Sequence, residues 1–349
     1  MKLLPALFLA GLACAQSWVN QTSGTTAGLR GVSAVNAKVV WASGTGGTCL
    51  TTTDGGATWQ VSKVPGAESL DFRGIRAIDG RTVYLLSSGS GDKARIYKTT
   101  DAGGHWTLQF TNPDPKGFFD AIAFWDATHG IVLGDPVGES AAGQFAIWTT
   151  SDGGGHWQRQ HTPPAVPNEG AFAASNTCLF ILGKQKVWFG TGGPQGARVF
   201  HSKDRGRSWT VAATPIRNDG PSAGVFSLAF SDARHGVAVG GDYAKDQEQR
   251  QNIAITEDGG RTWTTPAAPA APAPVPAPMP VPKGFRSAVV YVREKNMWLV
   301  TGTSGSDVST DSGKSWKLFD SGSYNAMSFI GTAGWAVGAR GRIAQFHAN

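Results

Sequence analysis

The stretch TEDGGRTW, residues 256–263, has five near copies along the chain. They are TTDGGATW ending at Trp59, TTDAGGHW at Trp106, TSDGGGHW at Trp157, SKDRGRSW at Trp209 and STDSGKSW at Trp316. The shared form is Ser/Thr-x-Asp-x-Gly-x-x-Trp. Its acids, Asp54, Asp101, Asp152, Asp204, Asp258 and Asp311, are separated by 47, 51, 52, 54 and 53 residues. A pattern returning at so steady a period demands one supersecondary unit per repeat, each burying its apolar face against the next.

Residues 29–64 show what the unit is. LRGVSAV, NAKVVWASG, GTCLTTT and WQVSKV are four short apolar or alternating runs, separated by Gly, Asn or Asp. Four short strands joined by turns make one antiparallel sheet. A four-stranded sheet repeated about every 50 residues is a propeller blade. The composition agrees: 47 glycines and only 16 % charged residues suit strands and tight turns. The fold class expected is therefore all-β. The box falls at the hairpin between the third and outermost strands. There its Asp can accept backbone N–H bonds, its Ser/Thr can add a hydroxyl bond, and its Gly can take a positive φ. Its Trp can fold between blades. The six acids and the tryptophans are thus read as structural staples.

Innermost strands are expected at LRGVSAV (29–35), FRGIRAI (72–78), FDAIAF (119–124), GAFAAS (170–175), GVFSLAF (224–230), FRSAVVY (285–291) and YNAMSF (324–329), which makes seven blades. The seventh reaches Asn349 without a box, while Ser17-Trp18-Val19-Asn20 matches Thr58-Trp59-Gln60-Val61. Trp18 and its neighbours are therefore expected to supply the outer strand of blade 7 and to protect an open edge.

Residues 1–15 read as a signal peptide, with Lys2, the apolar run Leu3–Leu12 and the small-residue site Ala13-Cys14-Ala15. The apolar run is short of the roughly 20 residues a bilayer needs. The domain expected is then 16–349, exported to periplasm or medium, with a lipid on Cys14 as the alternative. No membrane span is expected. A net charge of +6 without a dense Lys/Arg run argues against a nucleic-acid binder. Cys49 and Cys178 read as buried hydrophobes. His105 and His156 lie in box turns, His129 and His235 in matching DATHG and DARHG turns, and no metal or other cofactor is expected. A Pro-rich stretch, 265–284, separates blades five and six and reads as an extended loop.

The boxes and the split seventh blade resemble the Asp-box (BNR) propellers over the whole of 16–349. That superfamily includes sialidases, two-propeller xyloglucanases, sortilin-type receptors and photosystem II stability/assembly factors. Seven blades in one domain closed by the N-terminal strand look most like the last group. This implies a non-catalytic binding or assembly scaffold, monomeric, whose partner is a protein segment or membrane-protein complex of the cell envelope.

The working face is expected opposite the boxes, where insertions 87–95, 134–144 and 240–252 lie. Aligned innermost strands put Arg30, Arg73, Asp120, Gly170 or Ala171, Phe226, Arg286 and Asn325 around the channel, with Arg340 on the blade-seven loop. Arg30, Arg73, Arg286, Asn325 and Arg340 form a candidate arc for a carboxylate-bearing partner. A one-residue slip in alignment would turn any of these side chains away. Opposite stand Asp120, Asp135, Glu169 and Asp242, candidate acids for the alternative reading, a glycoside hydrolase acting on carbohydrate. Against it, the Arg-Ile-Pro motif of sialidases is missing, Tyr291 and Tyr324 read as core, and one propeller supplies only half a xyloglucanase cleft.

Overall fold

The computed structural model describes residues 16–138, 142–266 and 281–348. They form seven antiparallel sheets, six of four strands and the fifth of three. Blade 1 is typical: Leu29–Ala34, Val40–Gly44, Thr48–Thr52 and Gln60–Lys63 pair in chain order. Val40–Gly44 is buried throughout and Gln60–Lys63 is exposed throughout. Middle strands are covered on both faces by adjacent blades, so they are nearly all apolar or small, as in VYLLSS of Val83–Ser88. Leu29–Ala34 packs against both Asp71–Ala77 of blade 2 and Ala326–Ile330 of blade 7, which closes the ring.

Closure follows the expected route. Gln16–Gln21 pairs antiparallel with Ile343–Ala348, with Trp18 opposite Phe346. The Trp18 indole N–H donates to Ser306 Oγ of blade 6 at 3.0 Å.

Each box turn is built alike. The Ser/Thr hydroxyl donates to the Asp carboxylate at 2.7–2.9 Å. The same oxygen accepts the Gly N–H. The Asp Oδ1 accepts the N–H four residues on, closing the turn. The glycine is needed twice over. Gly103 has φ +85°, and a Cβ there would stand 3.3 Å from the Trp41 ring of the preceding blade. Trp106 meets the same Trp41 edge-on, Trp157 packs with Tyr84 and Trp263 with Trp188. The box therefore ties each blade to the one before it.

Three expectations are corrected. Blade 4 begins at Leu179–Leu182, not at 170–175. The innermost strand of blade 6 is Ala288–Val292, without the bulge that displaces Arg30, Arg73, Asp120 and Phe226 in their strands. The fourth strand of blade 5 shrinks to an isolated bridge between Ile255 and Thr264. Just beyond that bridge lies the Pro-rich stretch, of which 267–280 fall outside the described residues. The candidate signal segment 1–15 falls outside them too. Cys49 and Cys178 are free and buried. No helix among the described residues is long and apolar enough to cross a membrane.

Candidate functional site

The channel does not run through the ring. Residues 170–177, which enter blade 4, turn inward and bridge it. The Asn176 carboxamide donates to Ile122 O (3.0 Å) and Ile75 O (3.4 Å) and accepts from Ile122 N (2.8 Å). Ser175 Oγ donates to Ser287 O at 2.7 Å, and Thr177 Oγ1 meets Ser227 Oγ at 2.7 Å. This plug thus bonds to blades 2, 3, 5 and 6. Ala171 to Ala174 line a cavity of about 510 Å³ on one side, and Ser175 to Thr177 line another of about 490 Å³ on the other.

The first cavity is a cup on the face of the 134–144 and 240–252 insertions, which contribute Asp135 and Tyr243. Its walls differ in chemistry around the ring. Blades 1 and 2 give Arg30 and Arg73, and blade 7 gives Asn325. Arg73 Nε donates to Asp71 Oδ2 at 2.7 Å. Among the described residues Arg30 has no hydrogen-bond or ion-pair partner, and its Nε is shut from solvent. Burial, then the neighbouring Arg73 charge, lowers the Arg30 pKa. The nearby opposite charge is Asp71, which Arg30 shares with Arg73.

Blade 3 gives two acids. Asp135 Oδ1 accepts the Ala171 N–H at 2.9 Å. Asp120 is fully buried, and among the described residues neither of its side-chain oxygens has a partner. Burial, then repulsion from Asp135, drives the Asp120 pKa well up. Burial pushes Asp135 up to about 6. Both effects follow from taking a carboxylate out of water without enough donors.

The third wall is aromatic. Phe172 stacks on Phe226 with centroids 3.8 Å apart, and Phe285 meets Phe226 edge-on at 4.7 Å. Tyr243 stands beside them, 56 % exposed. Phe172, Tyr243 and Phe285 escaped the sequence reading because none occupies the aligned inner-strand column.

Other expected site residues lie elsewhere. Arg286 is fully buried in an ion pair with Asp307, its Nη1 donating to Phe285 O and Ser304 Oγ. Gly302 packs over Arg286 Cα as Gly44 packs over Leu29 Cα. Arg286 thus holds the core position of Leu29, and Ser287 takes the channel position. Arg340 is exposed on a separate groove with residues 20–26. Glu169 is buried against Arg198, 2.9 Å from its Nε, and accepts the Thr191 hydroxyl. Asp242 accepts the Ala244 N–H and lies 3.7 Å from Arg217. Of the four candidate acids only Asp120 and Asp135 share the cup. Tyr291, expected in the core, is half-buried and lines the opposite cavity, while Tyr324 is buried. His105, His129, His156 and His235 each bond a turn carboxylate. No cluster of three or more metal-ligating side chains occurs among the described residues.

No protein-family model matches the chain, and no curated protein is significantly similar to it. Solved structures are. YCF48 bound to D1 peptide aligns at a TM-score of 0.65 and 16 % identity, covering 95 % of this chain and 97 % of the other. YCF48 from Cyanidioschyzon merolae aligns at 0.62 and 17 %, covering 95 % and 99 %. U3-55K aligns at 0.62 and 13 %, covering 95 % and 98 %. At such identities the likeness is one of fold, and it spans the whole ring of blades.

Proposed function

We propose that this chain is a non-catalytic scaffold of the photosystem II assembly-factor type, an Asp-box propeller that holds a carboxylate-bearing segment of a partner protein in its cup. The observation that carries the reading is Arg30, a guanidinium without a hydrogen-bond or ion-pair partner among the described residues, beside Arg73 on the wall of a concave site. Guanidinium groups grip carboxylates through two parallel N–H bonds. Arg30 and Arg73 share one carboxylate, Asp71, and a bound carboxylate would supply a second. The solved YCF48 structure with a D1 peptide supports a peptide as occupant of this architecture. The proposal includes export to periplasm or medium, which the signal-like pattern of residues 1–15 supports and where a membrane-protein complex would present such segments.

The hydrolase alternative needs two carboxyl groups that reach the substrate. Asp120 and Asp135 are what remains for it, and both oxygens of Asp120 are shut from solvent. That geometry favours the scaffold.

The test is calorimetric titration of the chain with acetylated peptides ending in a free carboxylate or a carboxamide. The scaffold reading expects the carboxylate form to bind more tightly, and Arg30→Ala with Arg73→Ala to erase the difference. Equal binding of the two forms refutes it. Turnover of fluorogenic glycosides that disappears in Asp135→Asn would establish the hydrolase instead.

A further inference from the structure

The cup is bipolar. Guanidinium groups of blades 1 and 2 stand on one side and the blade 3 carboxyls on another, with the Phe172–Phe226 stack, Phe285 and Tyr243 on the third. A purely anionic ligand would satisfy the first wall and bring its charge towards Asp135 and Asp120. Asp135 Oδ1 is taken by the Ala171 N–H, while Oδ2 has no partner among the described residues. Behind it neither side-chain oxygen of Asp120 has a hydrogen-bond partner among the described residues, and Arg73 is the opposite charge that acts on it, so the acidic wall is short of donors. A buried charge is tolerated when an opposite charge or donors meet it. One ligand can meet both walls only if it carries both signs.

We infer that the cup takes a zwitterionic group, its carboxylate on Arg30 and Arg73, its ammonium or guanidinium on Asp135 Oδ2 with Asp120 behind, and an apolar side chain on the aromatic wall. This rests on the carboxylate reading and adds a cation subsite to it. Two sources offer such chemistry: a peptide end with a basic residue at its carboxylate, or a free aromatic amino acid.

The cation subsite works only when Asp135 is ionised. The titratable groups that share the cup with it are Asp120 on its own blade, Arg73 on blade 2, Arg30 on blade 1 and Tyr243 on blade 5, with Cys178 and Glu169 on the segment entering blade 4. Glu169 is neutralised by Arg198. The Cys178 thiol, buried and near both acids, is pushed well up and stays neutral. A ligand cation would act against the burial that holds the Asp135 proton on, so binding selectivity grows as pH rises through about 6.

The experiment titrates the full chain with three probes at pH 5 and 7.5: acetyl-Phe-Lys with a free carboxylate, its Nε-acetyl-lysine analogue, and free phenylalanine. At pH 7.5 the lysine peptide or free phenylalanine binds, and the lysine peptide exceeds its neutral analogue by about tenfold, as one desolvated ion pair gives. At pH 5 that ratio shrinks. Asp135→Asn brings it to about 1 while dependence on Arg30 persists. Tight binding of free phenylalanine alone assigns the site to a free amino acid. Equal binding of the two peptides, with Arg30 still required, overturns the cation subsite and leaves the carboxylate reading standing. No binding by any probe overturns both.

Discussion

Trp18 lies directly across from Phe346 in the paired strands of blade 7, their ring centroids 5.4 Å apart, while its indole N–H reaches Ser306 of blade 6. One residue thus completes a sheet and joins two blades. Trp18→Ala should cost about 3–5 kcal/mol, the usual range for a buried large-to-small change. Trp18→Phe keeps the apolar contact and loses the indole bond, costing about 1 kcal/mol from that bond. Urea unfolding of both variants checks the order; equal losses would mean that packing at this seam is unimportant.

Asp120 and Asp135 make the fold less stable in base. Each has a folded pKa above its unfolded value, so the native state keeps a proton that the unfolded state has released. Stability from that source is present below about pH 4 and declines as pH rises through about 6 for Asp135. Asp120→Asn should therefore melt higher than the parent at pH 8, with the gap closing at pH 4. Melting curves at both values decide it.

The box acids act with the opposite sign. The Thr58 hydroxyl and N–H hold Asp54 down to about 2, and the His105 N–H and ring hold Asp101 below the usual range. These contributions are present above about pH 4 and are lost as pH falls towards 2. Asp54→Asn, which keeps the turn and cannot titrate, should show a shallower acid decline than the parent in melts between pH 5 and 2.

Arg286 is a structural residue. Arg286→Met leaves Asp307 buried without its partner and should cost about 3–5 kcal/mol. Arg30→Met removes a guanidinium that makes no hydrogen bond or ion pair among the described residues and should be near neutral in urea. If Arg286→Met unfolds no more easily than Arg30→Met, the assignment of the two residues is reversed.

Asn176 locks the plug. It has φ +66°, a conformation Asn tolerates better than most, and its side chain makes three bonds to blades 2 and 3. Asn176→Ala should cost about 2–3 kcal/mol through those bonds. Hydrogen exchange at the Ile122 N–H, which Asn176 accepts, should rise with it.

What the sequence revealed, and what it hid, divides along one line. The boxes, the blade count and the Trp18 seam were legible because each rests on short local patterns repeated with their spacing. The site was legible where the inner strand keeps its bulge, at Arg30, Arg73 and Asp120. It failed at blade 6, where FRS copies FRG of blade 2 in letters but lacks the bulge, so Arg286 slid into the core. It failed again at blade 4. Trp188 pairs with Phe180 across eight residues, as Trp41 pairs with Ser33. Aligning those tryptophans would have placed the strand correctly and exposed 170–177 as surplus chain. GAFAAS alternates like a strand, and nothing in its letters says that it crosses the channel.

The seam has a mechanical corollary. Gln16 and Ala348 face each other at one end of the blade 7 pair, so the first and last strands of the ring are left at the same point. Force applied between them loads a single residue pair at a time and peels the strands apart like a zipper. The other blades, whose strands are linked by hairpins, would bear no load until that pair had parted. A molecule anchored at both ends would therefore release its ring at low tension, and one anchored at a single end would not feel the pull at all.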